Sequence, residues 1–189
     1  HYYDKHTITN GLSLGFSRIS SANNVISNGA RVEVIGSSLI TTVFSLYPYS
    51  IITRKEIDEA YTRKQRVLEE RYHNRWDDVN GLNFSLFGSM ASNTRTNGIL
   101  LAGVANITQR SNGLSIGGVQ NFLSYSNGMQ FAGLWNYAYR ANGVQLAALG
   151  SSAYNFNGLQ VSLWNQTSIQ MNGIQIGGYN KAGVIHGLQ

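Results

Sequence analysis

The sequence predicts an all-β protein, a β-solenoid of 15-residue coils that is interrupted by one inserted α-helix. Three observations lead to this prediction. An Asn-Gly pair recurs at a fixed spacing, the residues after each pair alternate between apolar and polar, and residues 49–79 change to a charged pattern with a helical period. The alternative fold is an outer-membrane up-and-down β-barrel, in which each Asn-Gly pair would close a two-residue hairpin.

The Asn-Gly pair returns every 15 residues through the second half of the chain, and internal repeats of this kind indicate stacked architectures. The regular copies begin at Asn97, Asn112, Asn127, Asn142, Asn157 and Asn172. Looser copies begin at Asn10, Asn28 and Asn80, and the last copy is degenerate, with His186 before the Gly. The pattern divides the chain into three regions: irregular N-terminal β coils or a cap in residues 1–48, a charged helical insert in residues 49–79, and regular β repeats in residues 80–189.

The residue columns of the repeat favour the solenoid. The residues two and four positions after the Asn are apolar, as in Ile174 and Ile176, and from Gln130 onward the residue between them is Gln. This alternation predicts a strand whose apolar face is buried. A small pair such as Gly177-Gly178 follows, and the apolar parity changes there, which indicates a corner. A barrel strand would keep one parity throughout, and only stacked coils require the same residue types in each copy.

We interpret each Asn-Gly pair as a structural corner rather than a ligand site. Asn and Gly both tolerate the left-handed backbone conformation that a sharp corner needs. Asn side chains that stack in successive coils can also hydrogen-bond to one another in a ladder.

The charged insert predicts one helix over residues 54–76. Between Arg54 and Asp78 there are seven Lys/Arg and seven Asp/Glu residues, and Thr53 and Glu56 form a capping-box start. An apolar stripe runs along one side of this helix at helical spacing. We expect the stripe either to pack along the solenoid or to bind a protein partner, and its residues are Ile57, Tyr61, Leu68, Tyr72 and Trp76.

Basic residues carry the charge of the repeat region, because residues 79–189 contain no Asp or Glu. Arg95, Arg110 and Arg140 each stand two residues before a repeat Asn. In a solenoid these residues share one column, which could bind an anionic glycan or lipid headgroup, or simply keep the surface solvated. No nucleic-acid-binding motif accompanies them, so we expect no nucleic-acid partner.

The sequence gives no candidate catalytic, cofactor-binding or metal-binding residues. Absence of Cys excludes a disulfide framework, thiolate metal sites and a Cys nucleophile. The four His residues do not stand at metal-ligand spacing within a repeat. Paired-carboxylate chemistry is excluded from the repeat region, which lacks acids. Asp77-Asp78 is interpreted as a turn before Asn80. We therefore expect a protein that is not an enzyme and needs no cofactor.

The unit Asn172-Gly173-Ile174-Gln175-Ile176-Gly177 resembles the N-G-x-Q-x-G repeats of uncharacterised surface-repeat proteins of Bacteroidota and spirochaetes. This resemblance covers about residues 80–189 and implies export to the outer membrane or cell surface of a Gram-negative bacterium. A weaker resemblance links Gln175, Gly177, Asn180 and Ala182 to the Q-x-G-x-x-N-x-A core of curli subunits, which implies stacked strand–turn–strand units.

The expected function is that of a non-enzymatic surface or outer-membrane-associated repeat protein, which acts as a scaffold or accessory subunit of an envelope complex and binds a protein partner there. A module that binds glycan or lipid A and an outer-membrane β-barrel are the alternatives. The chain begins with His1 rather than Met and ends inside a repeat. We expect it to be a fragment from which a signal peptide has been removed.

Overall fold

The computed structural model describes residues 7–15, 25–33, 77–88 and 90–189. Within these residues the chain forms ten β-strands and no helix. The strands are β1 (Thr7–Gly15), β2 (Val25–Glu33), β3 (Asp77–Ser85), β4 (Met90–Ala102), β5 (Ala105–Gly117), β6 (Gln120–Ala132), β7 (Trp135–Ala147), β8 (Gly150–Val161), β9 (Trp164–Ile176) and β10 (Tyr179–Leu188). The predicted helix over residues 54–76 lies outside the described residues.

Each strand pairs in parallel with the next one along the chain, so that β1 to β10 form one sheet in sequence order. Equivalent residues lie side by side, including the looser copies at Asn10, Asn28 and Asn80. This order confirms the β-solenoid, because an up-and-down arrangement would make neighbouring strands antiparallel. At about 4.8 Å between neighbours, the ten strands make a rod about 43 Å long.

Each regular coil is a flattened loop whose two arms face each other. Asn106 donates from Nδ2 to the carbonyl oxygen of Ile116 at 2.9 Å, and the hydroxyl oxygens of Ser111 and Ser115 are 2.7 Å apart. The chain therefore reverses direction at the Asn-Gly pair that lies between Ser111 and Ser115. We call the stretch of each coil before this pair the long arm and the stretch after it the short arm. The second reversal lies at the predicted small-pair corner, where the strand is interrupted at residues 118–119.

The space between the arms is narrow, so small and polar side chains fill much of it. Apolar packing is concentrated in one cluster formed by Ala138, Ala141, Ala153, Phe156 and Met171. Many other buried side chains carry amides or hydroxyls. Because an unpaired buried polar group costs about 1–3 kcal/mol, such an interior is stable only if these groups bond to one another.

Gln side chains stack through the interior of the C-terminal coils and are at most 1% exposed. Nε2 of the later residue donates to Oε1 of the earlier one at 2.7 Å in the pairs Gln145–Gln130, Gln160–Gln145 and Gln175–Gln160. The expectation that the apolar residues beside each Gln are buried is wrong. The amide points inward and its apolar neighbours point outward, because a Gln in every coil satisfies the Gln of the next.

A second amide ladder, which we call the inner Asn ladder, follows the long arms. Asn121 receives a bond from Nδ2 of Asn106 at 2.8 Å and donates to Oδ1 of Asn136 at 2.9 Å. Nδ2 of Asn121 also donates to the carbonyl oxygen of Phe131 at 2.7 Å, which joins the two arms. The next residue in this column is Ser151, whose buried hydroxyl has no hydrogen-bond partner within the described part of the chain.

The acidic residues of the N-terminal coils take part in internal contacts. Asp77 and Asp78 lie within β3 rather than in a turn, which corrects the expectation from sequence. Oδ1 of Asp77 accepts a hydrogen bond from the backbone N–H of Val25 at 3.0 Å and helps to hold β2. Glu33 forms a buried ion pair with Arg31.

Candidate functional surface

The outer side of the short arms forms a continuous apolar surface, which we call the apolar face. It consists of the residues two and four positions after each repeat Asn, and in register these make two parallel columns. In the described coils every one of these positions is apolar. The members are Leu12, Leu14, Ala30, Val32, Leu82, Phe84, Ile99, Leu101, Leu114, Ile116, Met129, Phe131, Val144, Leu146, Leu159, Val161, Ile174, Ile176 and Leu188.

Several large side chains on the apolar face are exposed, and the others are half-buried. Met129 is 49% exposed and Ile176 is 54% exposed, whereas Gln130, which lies between two residues of this face, is fully buried. A sheet face in water normally carries polar residues at its outward positions. The short arms therefore have their polar and apolar residues on the opposite sides from those expected.

The apolar face continues around the small-pair corner. Leu134, Leu149 and Leu163 lie at this corner and are 39%, 46% and 63% exposed. From the first apolar column to this corner the chain covers about 17 Å, which with the rod length gives a footprint of about 700 Å² that also includes the small pairs and half-buried side chains. Most monomeric proteins expose contiguous apolar patches no larger than about 300–600 Å². The apolar face is therefore a candidate interaction surface.

In several coils the first residue of the long arm, directly after this corner, is aromatic. Trp164 and Tyr179 occupy one column, are both exposed, and have ring centroids 4.5 Å apart. Trp135 stands in the same column two coils earlier. Farther along the long arm Phe122 stacks on Tyr137, also with centroids 4.5 Å apart. The aromatic edge of the apolar face thus combines apolar rings with polar N–H and O–H groups.

The opposite edge of the apolar face is the Asn-Gly corner. Its Asn side chains form an exposed ladder, as predicted, in which Asn112 donates to Asn97 at 2.7 Å and Asn127 donates to Asn112 at 2.9 Å. The corner glycines have positive φ, for example +128° at Gly128. A Cβ at Gly128 would come within 2.1 Å of the carbonyl oxygen of Gly113 in the preceding coil. These features make the corner a structural element.

The three predicted arginines stand at one position of the coil, on the outer side of the long arm beside the Asn-Gly corner. In the strand register Arg95 lies beside Arg110, and Tyr125 lies between Arg110 and Arg140. The guanidinium carbon of Arg110 lies 5.3 Å from the ring centroid of Tyr125, and that of Arg140 lies 5.8 Å from the ring centroid of Tyr139. The column is therefore a row of cationic and aromatic groups, and its role in binding anions stays a prediction.

The other predicted site lies outside the described residues. It consists of the apolar stripe of the insert helix, namely Ile57, Tyr61, Leu68, Tyr72 and Trp76. The described residues contain no group of three or more His, Cys, Asp or Glu side chains that could hold a metal ion. None of these residues forms a helix that is long and apolar enough to cross a membrane.

Comparison with known proteins gives no relative from which a role could be transferred. The chain matches no protein-family model, no curated protein and no solved structure.

The identity of the Gln residues in successive repeats indicates which side of the short arm faces outward, whereas the alternation of apolar and polar residues alone does not. Gln130, Gln145, Gln160 and Gln175 are identical, although a solvated position would tolerate many polar residues. Identical amides at the spacing of the coil indicate a ladder, and a ladder of this kind is favoured in a buried, water-free interior. The apolar neighbours of such a ladder must then point outward, because successive residues of a strand face opposite sides.

Proposed function

We propose that this protein is a non-enzymatic scaffold or accessory subunit of a bacterial envelope assembly, and that it docks through the apolar face. The observation that carries the proposal is the run of outward apolar positions along the short arms. Burial of apolar surface stabilises an assembly by about 25 cal/mol per Å², so covering the exposed side chains of this face favours docking.

The rigid construction of the coils supports a scaffold role. The Gln ladder, the inner Asn ladder and the exposed Asn ladder tie each coil to its neighbours. Such a rod holds its surface in one shape, and a preformed surface binds without the loss of entropy that ordering a flexible segment would cause. Location at the outer membrane or cell surface is part of the proposal and follows from the resemblance of the Asn172–Gly177 unit to bacterial surface repeats.

The proposal is tested by affinity capture from the envelope fraction of a Gram-negative bacterium that encodes the protein. The tagged wild-type chain is compared with Ile116→Gln/Met129→Gln/Ile174→Gln, which we call the face variant, and with Ile107→Gln/Ser152→Gln, which alters outward positions of the long arm. We expect co-purifying envelope components with the wild type and the long-arm control and their loss with the face variant. Equal recovery by all three proteins would contradict the docking role.

A second candidate function is binding of an anionic glycan on the long arms. The observation that favours it is the alternation of Arg110, Tyr125 and Arg140 in one column, because Tyr rings stack on sugars and guanidinium groups pair with sulfate or carboxylate. Glycan-array binding should then decrease with salt and with Arg110→Ala/Arg140→Ala. Unchanged glycan binding by this variant would mean that the arginine column is only a solvated part of the surface and does not bind glycan.

A further inference from the structure

The apolar face offers a partner almost no hydrogen bonds. Its outward side chains in the described coils are apolar, and the strand backbones beneath it are paired from coil to coil. An ordinary protein–protein interface carries about one hydrogen bond per 100–200 Å², with a polar rim around an apolar centre. Acyl chains and glycerol backbones of lipids require no such matched donors, so the chemistry of this face fits a lipid surface.

The edge at the small-pair corner has the composition of a membrane interface. Trp164 and Tyr179 are exposed beside the corner leucines Leu149 and Leu163. Trp and Tyr concentrate where hydrocarbon meets headgroups, because their rings are apolar and their N–H and O–H groups remain hydrated. Rings at this edge would lie at headgroup level when the leucines enter the acyl region.

The charge of the repeat region favours an anionic lipid surface over a second copy of the chain. Residues 79–189 contain no Asp or Glu, and Arg110 and Arg140 are exposed beside the Asn-Gly corner. Both side chains leave the long arm on the side away from the apolar face and packed sheets are about 10 Å apart, so these charges lie more than one Debye length from a surface in contact with that face and attract it mainly at low salt. Two copies of this cationic region would repel each other, whereas anionic headgroups would attract it.

We infer that the apolar face binds the surface of an anionic lipid bilayer, with the rod lying flat in the interface. Ile116, Met129 and Ile174 enter the region between headgroups and acyl chains, and Trp164 and Tyr179 anchor one edge. Arg110 and Arg140, on the outer side of the long arm, add long-range attraction to anionic headgroups at low salt. The inference rests on the proposed docking role of this face and names the class of surface on which it docks.

The test is flotation of the full chain with vesicles of phosphatidylcholine alone or with 30% phosphatidylglycerol. We expect binding that is tighter on the anionic vesicles and weaker at high salt. The face variant should lower the partition coefficient about 100-fold, because each change removes buried apolar surface equivalent to about one or two methylenes. Arg110→Gln/Arg140→Gln should lower it by less than about twofold at physiological salt and more strongly at low salt, on anionic vesicles only, because the charges lie more than one Debye length from the surface. Ile107→Gln/Ser152→Gln should bind like the wild type.

Circular dichroism, sedimentation and the envelope capture described above separate failure of this inference from failure of the proposed function. Circular dichroism should give the face variant the same fold and nearly the same melting temperature as the wild type, because its substitutions point outward. The lipid inference would be overturned if the wild type bound neither kind of vesicle, or if the face variant bound them as tightly as the wild type. If the wild type does not bind vesicles but sediments as a dimer, and the face variant sediments as a monomer, then a second copy of the chain occupies the face. That result would overturn the lipid inference and leave the docking role intact. Envelope capture that is unaffected in the face variant would refute the docking role itself.

Discussion

Replacement of Gln145 by Leu tests whether the interior amides stabilise the coil. Gln145 is 1% exposed, donates to Oε1 of Gln130 at 2.7 Å, and accepts from Nε2 of Gln160 at 2.7 Å. Leu has a similar size but cannot take part in the ladder, so Oε1 of Gln130 loses its donor and Nε2 of Gln160 loses its acceptor. Two orphaned buried groups cost about 2–6 kcal/mol together.

Burial of Leu in place of an amide offsets part of this cost, by about 2 kcal/mol. The expected net loss is therefore about 2 kcal/mol of unfolding free energy. For a chain of this length, 1 kcal/mol corresponds to about 2–4 °C, so the melting temperature should fall by about 4–8 °C.

The assay is thermal and urea unfolding of Gln145→Leu beside Met129→Gln, which puts an amide on the 49%-exposed outward position. Met129→Gln should change stability by less than about 1 kcal/mol, because surface substitutions away from special features have small effects. If Gln145→Leu were neutral or stabilising and Met129→Gln strongly destabilising, the assignment of inward and outward positions would be refuted.

Three further outcomes are expected from changes elsewhere in the coils. Gly128→Ala should cost about 3–5 kcal/mol, since φ is +128° and the new Cβ would meet a carbonyl oxygen at 2.1 Å. Gly178→Ala, whose Cβ would meet no atom closer than 3.5 Å, is the matched control and should stay within about 0.5 kcal/mol in the same urea titration. Ser151→Asn should raise the urea midpoint by an amount equivalent to about 1 kcal/mol, because it fills the gap in the inner Asn ladder, and a lower midpoint would mean that the site is too small for the amide.

The repeat made the topology predictable from sequence. Constant spacing from Asn97 to Asn172, together with residue columns that repeat in every copy, requires like residues to stack, and parallel coils are the arrangement that stacks them. Even the loosely spaced copies at Asn10 and Asn28 align in the same column. The corner glycines followed from the same reasoning, because Asn-Gly is suited to the positive φ that the structure contains.

Which residues of the coil point inward and which point outward was harder to predict from the sequence. The usual rule places the apolar members of an alternating strand inside, and it fails here because amide ladders satisfy the polar interior. The column of Arg110 and Arg140 was predictable from spacing alone, but the Tyr125 ring between them was not singled out. The helical stripe that ends at Trp76 remains a prediction from its period.

The most direct test of the polar interior and apolar exterior is the thiol reactivity of two adjacent residues. The chain contains no Cys, so Ser115→Cys and Ile116→Cys each introduce a single thiol, one at a fully buried position and one at a position that is 38% exposed. Labelled with a maleimide in lipid-free solution, the thiol at 116 should react within about tenfold of its rate in the unfolded chain. The thiol at 115 should be protected at least 100-fold, because it reacts only when the coil opens. The opposite order of reactivity would contradict the account.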